Sequence, residues 1–116
     1  MEITVVGAGP AGLLTSHYLN KAGYNVEIIE EHKSVGKPVS CSGLIGRDFF
    51  EHFKEFDFKE SIKHRIDGAK IFLGNESFEL KRKGVSFVVD RSLFDQSLSR
   101  ELEVSFGERF QSFDRN

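Results

Sequence analysis

Val5-Val6-Gly7-Ala8-Gly9-Pro10-Ala11-Gly12, with Ile3 before it and Glu30 after it, is the stretch that decides the fold. Ile3, Val5 and Val6 predict a short buried strand. The glycines turn the chain, and a helix is expected from about Pro10 to a stop at Asn20-Lys21-Ala22-Gly23. Gly7 permits a tight turn off the strand, Gly9 leaves room for the backbone to approach a diphosphate, and Gly12 lets helix and strand pack closely. Pro10 suits the first helical turn, where its missing N–H has no partner to lose. No acid stands in that turn, so its N–H groups and the positive end of the helix dipole are open to an anion.

Val26, Ile28 and Ile29 predict a second strand, and Glu30 stands at its carboxyl end, 18 residues past Gly12 (position 30 against position 12). That is close to the spacing of about 20 in the dinucleotide-binding fingerprint. A carboxylate there accepts hydrogen bonds from both ribose hydroxyls of an adenosine and repels a 2′-phosphate, which argues against NADP. A glycine-rich turn alone is weak evidence, and a purely structural turn is the competing reading. Strand, turn, helix and acid together within about 30 residues favour a dinucleotide site. Ala11, Leu14, Tyr18 and Ala22 recur at helical spacing and predict the face that meets the sheet. Gly23 supplies a left-handed stop, and the return as a neighbouring parallel strand completes a right-handed crossover, a Rossmann half-unit.

At 116 residues the chain is at most one domain with one modest core. A net charge of -2 and a pI near 6.1 give no general pull toward nucleic acid. Lys81-Arg82-Lys83 is the one basic cluster and reads as a solvated turn. Cys41 is the sole cysteine, which excludes an intrachain disulfide and a dithiol redox pair. His17, His32, His52 and His64 show no ligand spacing with Cys41, so no metal site is expected. No apolar run approaches the roughly 18 residues that span a bilayer, and Met1 leads straight into the first strand, so a cytoplasmic protein is expected. Phe is used 12 times and Trp not at all.

Residues 31 to 46 lack a period and contain Gly36, Pro38, Gly43 and Gly46, which predicts a long functional loop facing the cofactor. From Arg47 to about Lys59 the pattern is helical, with Phe49, Phe53 and Phe56 in one stripe and Phe50 beside it. The stripe is either a core-facing surface or a wall for an apolar substrate. Three alternating runs follow, around Ile71 and Leu73, Phe78 and Leu80, and Val85, Phe87 and Val89. Gly74-Asn75 and Lys83-Gly84 separate them as turns, which predicts an antiparallel meander. Asp90 or Ser92 can cap a helix carrying Phe94, Leu98 and Leu102 on one face. A last strand-like run lies between Val104 and Phe113. The fold class expected is α/β, a Rossmann-like dinucleotide-binding βαβ unit (residues 1–35 and about 90–116) with an inserted antiparallel β-meander (36–89).

The fingerprint, the Gly36-Lys37-Pro38-Val39-Ser40-Cys41-Ser42-Gly43 loop and the Asp90-Arg91-Ser92-Leu93-Phe94-Asp95 segment, taken in this order, resemble the FAD-dependent geranylgeranyl reductase family, relatives of the aromatic-hydroxylase flavoproteins. The resemblance implies that Gly7, Ala8, Gly9, Pro10, Ala11 and Gly12 hold the FAD diphosphate, that Glu30 holds the adenosine ribose with Glu31 beside it, and that Arg91 contacts FAD. A surface arginine at a helix start is the plain alternative for Arg91. Cys41 matches a family cysteine near the flavin ring, beside Gly43, and is the candidate catalytic residue. A small buried hydrophobe is the alternative for a lone cysteine. Lys37 is either an exposed lysine or a phosphate neighbour.

Members of that family run to several hundred residues and carry a later Gly-Asp segment and a large sheet that forms the substrate cavity. This chain resembles only the first third, and the resemblance implies that residues 1–116 are the N-terminal part of a single FAD-binding domain, incomplete as it stands. The implied activity is reduction of isoprenoid double bonds by hydride transfer from reduced FAD, on an isoprenoid lipid or other small apolar substrate. Peripheral membrane contact and an unidentified electron donor go with it. A flavin-dependent monooxygenase is the related alternative, and a non-catalytic dinucleotide-binding module the alternative from another class.

Overall fold

The computed structural model describes residues 1–114, which divide into two compact units: Met1–Val39 with residues 95–114, and Ser40–Phe94. In the first unit, β1 (Glu2–Val6), α1 (Pro10–Lys21) and β2 (Asn25–Glu30) follow one another as strand, helix and strand. β1 and β2 are parallel, with Ile3 opposite Val26 and Val5 opposite Ile28. β6 (Val104–Phe106) adds a third parallel strand on the far side of β2, giving the order β1-β2-β6. The expected last strand is thus three residues long and begins at Val104.

The buried face of α1 differs from the apolar stripe. Leu13 and Ser16 are fully buried, whereas Ala11, Tyr18 and Ala22 are exposed and Leu14 is half-buried. The cause is Gly12. A Cβ at that position would collide with the Gly7 carbonyl oxygen and lie 3.4 Å from Val5 Cγ1. The helix approaches the strand at this glycine, so Gly12 and Ser16, one turn later, take the inner side whatever their hydropathy. Gly23, at φ +90°, ends the helix; its N–H donates to the Asn20 carbonyl, and the Tyr24 N–H donates to that of Leu19.

The second unit holds β3 (Leu44–Gly46), α2 (Arg47–His52), a single 3₁₀ turn (Lys59–Ser61), β4 (Ile62–Leu73) and β5 (Glu76–Val89). They form an antiparallel sheet of order β3-β5-β4. Only Gly74-Asn75 is a turn. Lys83-Gly84, expected as a second one, lies inside β5, and a hairpin of two long strands replaces the three short runs. The reason is a long-range bond: Asp67 Oδ1 of β4 accepts the Gly84 N–H at 2.8 Å, carrying the chain through as an irregular strand.

α2 is also shorter than its sequence pattern. It ends at His52, with Phe53 as its C-cap in a non-helical conformation (φ -112°, ψ 53°). The aromatics nevertheless converge. Phe58 and Phe94, both buried, stack with centroids 4.7 Å apart, and Phe49 and Phe50 pack against both rings. Phe50 also meets Phe87 of β5 edge-on at 5.3 Å. Such ring pairs contribute about 0.5–1.5 kcal/mol each beyond the area they bury. The phenylalanines are the core of this unit. α3 (Arg91–Ser99) begins beyond Asp90, whose Oδ1 accepts the Leu93 N–H at 3.2 Å; Leu102 falls past its end. Among the described residues no helix is long and apolar enough to cross a membrane.

Removing the Phe58 ring leaves the cluster without its central partner. Phe58→Ala should lower unfolding stability by about 3–5 kcal/mol, read as a shift in urea midpoint; a midpoint unchanged within error would refute the cluster as core.

Candidate functional site

The glycine turn and the end of β2 are tied together by the backbone. Gly7, at φ +98°, donates its N–H to the Ile29 carbonyl at 2.8 Å, and the buried Ala8 donates its N–H to Glu30 Oε2 at 2.7 Å. Glu30 Oε1 accepts from the His32 N–H at 3.2 Å and stands 2.8 Å from His32 Nδ1. Gly9 is the N-cap of α1 and Pro10 opens it; no side chain caps the helix, and no acid stands in its first turn. A Cβ at Gly9 would meet nothing within 4 Å, so the backbone faces open space there. An anionic group finds N–H donors and a positive dipole end at this place, with a carboxylate beside it.

Burial pushes the Glu30 carboxyl pKa up, but the Ala8 and His32 N–H groups and the His32 ring outweigh it and hold the group below the usual glutamate value. His32 went unrecognised as a partner of Glu30 in the sequence, where a histidine two residues past an acid carries no signal. Glu31 points elsewhere: its carboxylate lies 3.5 Å from Arg109 Nε, both side chains largely exposed, a pairing worth little in water.

Cys41, Gly43 and Arg91 meet in the second unit. Cys41 Sγ accepts the Gly43 N–H at 3.4 Å. Gly43, at φ +80°, is buried so closely against β5 that a Cβ would collide with the Val89 carbonyl oxygen, and the Val89 N–H donates back to the Gly43 carbonyl at 2.8 Å. The Arg91 guanidinium lies 5.8 Å from the centre of the Phe94 ring. The Gly43 N–H, with Arg91 beside the sulfur, holds the Cys41 thiol below its ordinary value. Cys41 is exposed, not a small buried hydrophobe. Its surroundings favour the thiolate.

Residues 5–46 match the family model of an NAD(P)-binding Rossmann-like domain. A digeranylgeranylglycerophospholipid reductase from Methanoculleus marisnigri is 35% identical over 102 residues, 84% of this chain and 25% of that protein. A geranylgeranyl bacteriochlorophyll reductase-like protein from Thermoplasma acidophilum superposes with a TM-score of 0.79 at 24% identity, over 90% of this chain and 29% of its own. The 2,6-dihydroxypyridine-3-hydroxylase from Arthrobacter nicotinovorans shares the fold with a TM-score of 0.70 at 17% identity, over 99% of this chain and 30% of its own. The chain spans about a quarter of the length of the curated relatives it matches.

Two titrations test the site electrostatics. Because the Glu30 value is lower in the folded chain than in the unfolded one, the stability it contributes is complete above the unfolded value and is lost as pH falls through the folded one. Between about pH 5 and pH 3, Glu30→Gln should therefore remove some of the acid-induced loss of stability, and acid denaturation curves parallel to wild type would refute this. Arg91→Gln should move the pH midpoint of Cys41 alkylation by iodoacetamide upward; an unmoved midpoint would remove Arg91 from the account of the thiol.

Proposed function

Over 84% of its length the chain resembles the geranylgeranyl-reductase flavoproteins, and from that premise we propose that it is the FAD-binding portion of an oxidoreductase that reduces isoprenoid double bonds. The observation that carries the reading is the Ala8 N–H to Glu30 hydrogen bond at 2.7 Å, which puts the acid at the end of β2 directly against the glycine turn. Bound there, reduced FAD supplies a hydride to a carbon–carbon double bond.

The chain's own residues bind and orient the cofactor. Gly7, Ala8, Gly9, Pro10, Ala11 and Gly12 shape the place that receives the diphosphate at the start of α1; the Gly7 and Ala8 N–H groups are held by Ile29 and Glu30 and Pro10 has none, so Gly9, Ala11 and Gly12 supply the donors. Glu30 takes the adenosine ribose. Its carboxylate has about four lone-pair sites; Ala8 N, His32 N and His32 Nδ1 occupy three. A ribose with two hydroxyls takes the open site and the one that the half-exposed His32 ring leaves on turning away. Cys41, Gly43 and Arg91 are the flavin-side group, in which Arg91 carries positive charge and Cys41 a thiol poised to ionise. The 116 residues belong to one FAD-binding domain, its Rossmann portion formed by residues 1–35 and about 90–116 and its insert by residues 36–89. The enzyme is cytoplasmic and takes an isoprenoid lipid at a membrane surface, with electrons from a separate donor.

Titration of the purified chain with FAD, followed by flavin fluorescence, tests this. Weak saturable binding without turnover is expected. Glu30→Gln should weaken it about 10- to 100-fold, the worth of a hydrogen bond to a charged group. No binding, or binding indifferent to the substitution, would sink the assignment.

A further inference from the structure

The two oxygens of the Glu30 carboxylate are held in different ways. Oε2 accepts the N–H of the buried Ala8 in the glycine turn at 2.7 Å, whereas Oε1 takes its bonds from residue 32, the backbone N–H at 3.2 Å and ring Nδ1 at 2.8 Å. The side chain of Glu30 is 13% exposed and that of His32 47%. The His32 backbone is fixed on both sides, since its carbonyl also accepts the Gly107 N–H at 3.1 Å, just past β6. Turning the imidazole outward therefore uncovers Oε1 without moving the chain. The acid keeps its place against the turn.

We propose that His32 is a proton-operated gate on the ribose end of the cofactor site, closed when its ring carries charge and open when it does not. This rests on the reading of Glu30 as the ribose acceptor. A neutral ring and a ribose hydroxyl are matched competitors for Oε1, because each brings one uncharged donor to the same oxygen. An imidazolium is not matched. Its bond to a carboxylate is charge-assisted and about twice as strong, and histidine is the side chain that makes this change near neutral pH. Burial opposes ionisation of Glu30, but the Ala8 and His32 N–H groups and the His32 ring outweigh it, so the acceptor stays ionised while a histidine changes charge. The other charged residues where these segments meet are Glu31 and Arg109, paired at 3.5 Å, with Lys33 and Glu108 beside them in the chain. The turn from Gly7 to Pro10 carries no charge, and the first turn of α1 no acid. A positive ring also draws a diphosphate from a distance, and that effect has the opposite sign.

Titration of the full chain with FAD from pH 5.5 to 8, followed by flavin fluorescence, tests the gate with His32→Ala and His32→Gln beside wild type. Wild-type affinity should fall as pH falls. His32→Ala should bind FAD about two- to threefold more tightly than wild type at pH 8 and about tenfold or more at pH 5.5. This ratio cancels every titration that the two proteins share. His32→Gln keeps a donor that never ionises, so its affinity should follow the pH profile of His32→Ala. A ratio constant across the range would overturn the gate, and so would wild-type affinity that rises toward acid, the mark of attraction for the diphosphate. Weaker binding by His32→Ala at every pH would make the ring a contact of the cofactor and would overturn it too. FAD binding indifferent to Glu30→Gln sinks the ribose reading and the gate with it. Binding that needs Glu30 but shows a constant ratio sinks the gate alone.

Discussion

The approach of α1 to β1 at Gly12 is the constraint on which the first unit depends. With only a hydrogen on that Cα, the helix settles against the Gly7 carbonyl and the Val5 side chain, and the turn between them is drawn tight enough for the Ala8 N–H to reach the carboxylate of Glu30. A methyl at Gly12 would push the helix outward. The first-turn N–H groups and the acid at the end of β2 would then cease to share one small region, and the anion site and the ribose acceptor would be lost together.

That chain of causes explains what the sequence revealed and what it hid. Strand, turn, helix and Glu30 were legible because each obeys a local rule at fixed spacing: glycines where the backbone turns, apolar residues in the strands, an acid at the strand end. The α1 face was not. Gly12 and Ser16 carry no hydrophobic signal, and Ser16 is fully buried because the glycine one turn earlier chooses the side. Apolar periodicity pointed instead to Tyr18, which is exposed. Lys83-Gly84 read as a turn for a similar reason. A basic residue and a glycine are what turns contain, and the carboxylate that holds Gly84 in the strand is 17 positions away.

The cluster of Cys41, Gly43 and Arg91 was legible only by resemblance. No periodicity connects residues 50 positions apart, as Cys41 and Arg91 are. Their meeting is a product of the antiparallel sheet: β3 pairs with β5 at Leu44–Val88, which brings the loop before β3 to the segment after β5. Long-range pairing of this kind is invisible in local patterns, yet it sets the ionisation of the single thiol. The phenylalanine stripe shows an intermediate case, since its role as core was one of two readings although the helix that carries it is half as long as its pattern.

Beyond the Gly68–Lys81 pair, the hairpin is a ribbon of two strands with no third strand and no helix described against it. Two-stranded ribbons are marginal on their own in water, whereas the base of the same hairpin is pinned by β3 and by the aromatic cluster. Local opening should therefore be graded along one pair of strands. Amides near Gly74 exchange with solvent through small fluctuations, and those near Val89 exchange only when the aromatic cluster itself comes apart. The outer half of the ribbon is in that sense a separate cooperative element, free to adjust its twist while its anchorage stays fixed.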